Sequence, residues 1–225
     1  MQFNKDSYFL IQFYNESRDF VLNIYITRHG ETKWNRENRL QGWKDSPLTK
    51  KGSEHAILLG KRLADIPFQT IYTSPSGRAV QTAKLIRLER DIPIVQEEGL
   101  KELNFGEWEG KTREEIGQIN GKEYENFWTS PHKYDHRSHR GESLQDFQER
   151  IRLALMNIIS DYVDGNILIV SHAVAIRAML AFCLNLTTEK FWDGPFIQGT
   201  SLTIIKWDGT QFAVEKIGDM SHLDQ

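Results

Sequence analysis

Apolar residues alternate or run together in six short stretches, and these stretches frame the chain. "VLNIYIT" (21–27), "TIYTS" (70–74), "IPIV" (92–95), "NILIVS" (166–171), "SLTIIKW" (201–207) and "QFAVEKI" (211–217) are rich in Ile, Val, Thr and Tyr, the pattern of strands. Between them the period lengthens. "LTKKGSEHAILLGKRLA" from 48, "GRAVQTAKLIRLE" from 77, "SLQDFQERIRLALMNIISDY" from 143 and "AVAIRAMLAFCL" from 173 read as helices. In the third of these, Leu144, Phe147, Ile151, Leu155 and Ile158 recur at helical spacing and form one apolar stripe, with Ser143 as N-cap and Asp146 closing the first turn. The order β-α-β-α-β, a long irregular insert, then α-β-α-β-β predicts an α/β fold: a three-layer α/β/α sandwich on a mostly parallel sheet. The last two strands, joined at Asp208–Gly209–Thr210, predict an edge hairpin.

Composition narrows the class. With 225 residues, 39% of them hydrophobic, the chain can bury one substantial core and is read as a single domain over 1–225. Residues 1–22 precede the first strand as an extension, and about 110–141 form an insert that is a candidate lid. A net charge of -3 from 28 basic and 31 acidic residues gives no overall field for nucleic acid or an anionic membrane. The lone Cys183 excludes an internal disulfide and a multi-cysteine metal cluster. Lys5, Asp6, Asn15, Glu16, Arg18 and Asp19 interrupt the first twenty residues, so no signal peptide is read there, and a cytoplasmic protein is expected. The extension carries Phe3, Tyr8, Phe9, Phe13, Tyr14 and Phe20, which call for packing somewhere, another copy of the chain in a homodimer being one such surface.

The chemistry collects at strand ends, where open α/β sheets bind ligands. Arg28 and His29 follow the first strand, "TSPSGR" brings Arg78 after the second, and His172 follows "NILIVS". Taken singly, each is more often structural or solvated than functional. Four such groups at neighbouring strand ends would repel one another unless they face an anion. Guanidinium groups bind phosphate oxygens in pairs, and Gly30 and Gly77 would let backbone come close, so the residues point to a phosphoryl site. A neutral imidazole is a competent nucleophile at phosphorus. No G-x-S-x-G elbow or G-x-x-x-x-G-K-[ST] loop is present.

"TRHGETKWN" (27–35), "SPSGRAVQTA" (74–83), "LKELNFGEWEG" (100–110), "GESLQDFQER" (141–150) and "VSHAVAIRAML" (170–180) resemble, in order, the blocks of the histidine phosphatase superfamily, the phosphoglycerate mutase-like proteins. The resemblance implies that His29 becomes phosphorylated, that Arg28, Arg78 and a protonated or hydrogen-bonding His172 hold the phosphate, that Glu102 is the proton donor, and that Asn35 adds a phosphate contact. It implies no metal and no cofactor. The expected reaction is metal-independent hydrolysis of a small phosphorylated metabolite, with phosphoglycerate mutase and an inactive phospho-ligand-binding module as alternatives. Two departures stand out. Ala173 replaces a glycine common after the second histidine, and Val174 replaces an asparagine that the mutases carry; with the "NFGEWEG" form of the third block, they favour the phosphatase branch.

The insert raises further candidates. His132, His136 and His139 have metal-like spacing, but no carboxylate motif completes a site, and none is expected. Arg137 and Arg140 are candidates for a second anionic group of the substrate. Tyr124, Phe127, Trp128 and Tyr134 either wall the pocket or make a satellite core.

Overall fold

The computed structural model describes residues 20–224. Six strands form one sheet: β1 (Leu22–Arg28), β2 (Thr70–Thr73), β3 (Ile94–Gln96), β4 (Gly165–Ser171), β5 (Leu202–Trp207) and β6 (Phe212–Asp219), in the order β3-β2-β4-β1-β5-β6. The first four are parallel, and β5 and β6 are antiparallel, with the expected hairpin at the edge.

Alternation along the central strands creates the layers. Ile24 and Ile26 of β1, Ile167 and Ile169 of β4 and Ile205 of β5 join one buried cluster with α5 (Leu144–Ser160) and α6 (Ala173–Cys183). Leu168 and Val170 of β4, Ile71 of β2 and Leu202 of β5 join a second with α2 (Lys50–Arg62) and α3 (Gly77–Arg87). Successive residues point to opposite faces, and each face is covered by helices, which is why β2 and the end of β4 are buried at every position. A short helix, α1 (Lys33–Arg36), follows the first strand end. Ser143 caps α5 by accepting from the Asp146 N–H, as expected.

The insert is more regular than its sequence suggested. It contains α4 (Arg113–Thr129), which starts at a reciprocal capping box between Thr112 and Glu115 and bends at the non-helical Asn120. Ile116 and Phe127 enter the first cluster, and Tyr124, Trp128 and Tyr134 pack against it, so these aromatics extend the main core. At the N-terminal end Phe20 is exposed, while the other five aromatics of the extension lie outside the described residues.

Candidate active site

Strand register sets the centre of the site. Arg28 and Ser171 are paired in the parallel ladder of β1 and β4, so the next residues, His29 and His172, emerge side by side. Their ring centroids lie 5.2 Å apart, close to the spacing of adjacent strands. The His29 N–H donates to the Ser171 carbonyl at 2.9 Å, which fixes the turn after β1. Arg78 joins them from the first turn of α3.

His29 is buried, and its Nδ1 donates to the Gly30 carbonyl at 2.8 Å. With Nδ1 carrying the proton, Nε2 keeps the lone pair. Burial, then the charges of Arg78 and Arg28, hold this imidazole well below its usual pKa, against the smaller opposing effect of the Gly30 bond. His172 uses its nitrogens differently. Arg78 Nη2 can only donate, so His172 Nδ1, at 3.1 Å, accepts, and Nε2 donates to Ser74 Oγ at 2.8 Å. Burial and the same two arginines, with His29, also hold His172 well below its usual pKa. The free protein thus presents a neutral His172, not a protonated one.

The arginines are anchored from behind. Arg78 Nη1 donates to the Lys44 carbonyl and to Asp45 Oδ1, both at 2.8 Å, and Nη2 donates to the Gly42 carbonyl at 2.7 Å. Arg28 Nη1 donates to the Ile197 carbonyl at 2.9 Å. Both Nε atoms are buried and have no hydrogen-bond partner among the described residues, so each guanidinium has donor capacity left for an anion. Burial lowers the Arg28 pKa to about 10, and Arg28 remains a cation at neutral pH.

Glu102 is buried beside them at the start of α6. Its Oε1 accepts from the Leu103 N–H at 3.0 Å and the Ala175 N–H at 3.1 Å, and its Oε2 from the Val174 N–H at 3.1 Å. Burial raises its pKa above the usual carboxylate value, outweighing the backbone donors and the Arg78 and Arg28 charges. Arg150 braces this backbone, donating to the Gly99, Lys101 and Glu102 carbonyls while Glu142 holds its guanidinium at 2.8 Å. Glu142 acts through that brace.

Arg28, His29, Asn35, Arg78 and Glu102 line one cavity of about 540 Å³; His172 does not line it but bonds Arg78 Nη2 and lines a neighbouring hollow that shares Glu102 and Gly42. Asn35 spends its side-chain oxygen on Thr32, accepting from the Thr32 N–H at 3.0 Å, and its amide nitrogen remains a donor at the cavity wall. The two glycines have other uses than expected. A Cβ at Gly30 would lie 2.5 Å from the Gly52 carbonyl oxygen, and one at Gly77 would lie 2.4 Å from Asp45 Oδ2. Their open space is filled by the protein itself.

Arg137 and Arg140 do not reach the cavity: they pair with Asp135 and Glu107 on the surface. Arg113 and Trp128 of α4 line it instead. His139 stacks on Trp108 at 3.7 Å and bonds the Phe105 carbonyl, while His136 bonds the Gly141 carbonyl. Gln41 and Glu109 were missed in the sequence. Gln41 is buried at the cavity wall, and its Oε1 has no hydrogen-bond partner among the described residues. Glu109 accepts from the Trp43, Lys44 and Phe105 N–H groups and so fixes the loop whose carbonyls hold Arg78. The "GEWEG" block carried that signal only as a second acidic residue.

The family model for "Histidine phosphatase superfamily (branch 1)" matches residues 24–220. The chain belongs to the histidine phosphatase superfamily. A probable phosphoglycerate mutase, GpmB, of Salmonella arizonae is 32% identical over 220 residues, covering 91% of this chain and 96% of that protein. The solved structure of YhfR from Bacillus stearothermophilus is 45% identical, with a TM-score of 0.86 over 90% of this chain and 99% of its own. A phosphoserine phosphatase from Entamoeba histolytica, solved in complex with 3-phosphoglyceric acid, is 26% identical, with a TM-score of 0.79 over 90% of this chain and 99% of its own. The fold is that of the phosphoglycerate mutase-like structures. Among the described residues, no helix is long and apolar enough to cross a membrane.

Proposed function

We propose that this protein hydrolyses small phosphomonoesters through a phosphohistidine at His29. The observation that carries the reading is the 2.8 Å bond from His29 Nδ1 to the Gly30 carbonyl, which leaves Nε2 as an unprotonated nucleophile in a cavity lined by two arginines and a buried carboxyl group. In the first half-reaction the Nε2 lone pair forms the P–N bond as the P–O bond to the leaving group breaks. Glu102, held protonated more readily by burial, gives its proton to the departing oxygen. Arg28 and Arg78 neutralise the equatorial oxygens, with Asn35 as a further donor and His172 orienting the Arg78 guanidinium. Water then attacks phosphorus, the P–N bond breaks, and the Glu102 carboxylate takes the proton of the water.

Mutase activity shares the first half-reaction and differs in returning the phosphoryl group to a second hydroxyl. The naming of the Salmonella relative and the position of Arg113 on the cavity wall favour it as a second reading. A panel of small phosphomonoesters assayed for released phosphate, beside 3-phosphoglycerate isomerisation with and without 2,3-bisphosphoglycerate, separates the two. Phosphate release with negligible isomerisation is expected. Efficient isomerisation without phosphate release would overturn the hydrolytic reading.

A further inference from the structure

The loop of residues 196–201 closes one side of the cavity and braces the turn that carries His29. Phe196, Gln198 and Gly199 line the cavity, and the Ile197 carbonyl holds the Arg28 guanidinium at 2.9 Å. Gly199 lies against the backbone of that turn: a Cβ there would be 3.3 Å from the His29 carbonyl oxygen and from the Glu31 nitrogen. The Thr200 N–H donates to the Arg28 carbonyl at 3.0 Å. The loop therefore sets both the backbone of Arg28 and its charged head.

It holds that shape through a strained residue. Thr200 is buried and has φ +60°, in the left-handed region that a β-branched side chain avoids and adopts only where its surroundings impose it. Its hydroxyl donates to the Gly199 carbonyl at 2.7 Å, so toward the His222 ring nitrogen Nε2, 3.2 Å away, the same oxygen accepts. His222 Nε2 is then the donor. The ring is buried, and its Nδ1 has no hydrogen-bond partner among the described residues, which leaves the Thr200 bond as its one polar contact there. Burial, then Arg62 and His55 of α2, push the His222 pKa down to about 4 against Asp219 and Asp224, so the ring is neutral at physiological pH. Its seat is also built. Asp219, at the end of β6, accepts from Arg62 Nη2 at 2.5 Å and from the Ser221 N–H at 3.0 Å, which fixes the start of the single 3-10 turn Ser221–Leu223.

We propose that His222 is a positioning residue: its Nε2–H pins Thr200 and so holds the 196–201 loop where Ile197 and Gly199 align Arg28 for an anion. His222 does not line the cavity, and its effect passes through Thr200. The inference rests on the reading of the cavity as a phosphoryl site.

The test reads phosphate binding and Arg28 separately. Titrated with inorganic phosphate in a calorimeter, His222→Phe, which keeps a ring and loses the donor, should bind about 5- to 20-fold more weakly than the wild type, the worth of part of one charge-assisted hydrogen bond. His222→Gln supplies an N–H again and should return to within about threefold of the wild type. Thr200→Gly adopts the left-handed region without strain, so in that background the His222→Phe loss should shrink below about twofold. Thr200→Val keeps the branch and removes the acceptor; it should match His222→Phe, and it carries the same test from the other end of the bond should the Phe variant fail to fold. In ligand-free protein, the Arg28 Nε–H resonance should be sharp in the wild type and in His222→Gln and broadened in His222→Phe. Unchanged phosphate affinity with an unchanged Arg28 resonance, or an equal His222→Phe loss in the Thr200→Gly background, would overturn the inference. An Arg28 resonance that broadens in His222→Phe, in a protein whose wild type binds no phosphate, would uphold the positioning role and remove the phosphoryl reading instead.

Discussion

Replacing Glu102 with Gln keeps the side chain's length and removes its acid. The carboxylate receives the Leu103 and Ala175 N–H groups on Oε1 and the Val174 N–H on Oε2. An amide oxygen can keep the first two, but its NH₂ group then faces the Val174 N–H, donor against donor. One unmade buried bond costs about 1–3 kcal/mol. Each kcal/mol lowers Tm by about 2–4 °C at this size, so the variant stays folded. The chemical effect is larger and depends on the substrate. A positioned general acid contributes about 10²–10⁴-fold when the leaving oxygen is strongly basic. Rapid-quench measurement of phosphoenzyme formation should show that loss with ethyl phosphate and a loss of less than about tenfold with 4-nitrophenyl phosphate, whose leaving group needs little protonation. The variant also lacks the base for water attack, so phosphoenzyme formed from the aryl ester should accumulate. Equal losses on both esters, or no accumulation, would make Glu102 a structural partner of the α6 N-terminus and refute the assignment.

Three other outcomes are expected. Burial and the arginine charges depress the His29 and His172 pKa values, so the unfolded chain binds more protons than the folded one below about pH 6.5, and stability falls from there as pH drops toward the folded values. Both rings should read as neutral by ¹⁵N NMR at about pH 6, and the loss of stability between about pH 6.5 and pH 5 should flatten in His29→Asn; a His29 titration at the ordinary value would contradict the burial argument. Asp45→Ala removes one charge-assisted bond from Arg78 but leaves the Gly42 and Lys44 carbonyls in place, so KM should rise by up to about tenfold with the fold intact. Because Asp45 Oδ2 occupies the space a Gly77 side chain would need, Gly77→Ala should reproduce that loss, and the double variant should be no worse than either alone; additive losses would show separate mechanisms.

The central sheet was legible because its strands are covered on both faces, which makes the apolar runs at Ile167–Val170 and Ile24–Ile26 hard to place elsewhere. The pairing of Arg28 with Ser171 then turns two distant sequence positions into neighbours, which is why the juxtaposition of His29 and His172 could be expected. The insert was not legible in the same way. Gly117, Asn120 and Gly121 interrupt the helical period, and the bend at Asn120 turns one helix into two short faces. The Thr112–Glu115 capping box was the signal that marked its start. Arg137 and Arg140 illustrate the limit from the other side. A charge in a loop has a nearby acidic partner more often than a ligand, and here Asp135 and Glu107 supply it. Trp128, Phe196 and Gln41 reach the cavity through tertiary packing of loops and of the α4 end, which no local period encodes.

The covalent intermediate tests the central claim most directly. Wild-type protein quenched during turnover of a ³²P-labelled aryl phosphate should carry acid-labile, base-stable label on the peptide containing His29, and His29→Ala should carry none and release no phosphate. Label absent from the wild type during rapid turnover, or full activity in His29→Ala, would contradict a phosphohistidine mechanism.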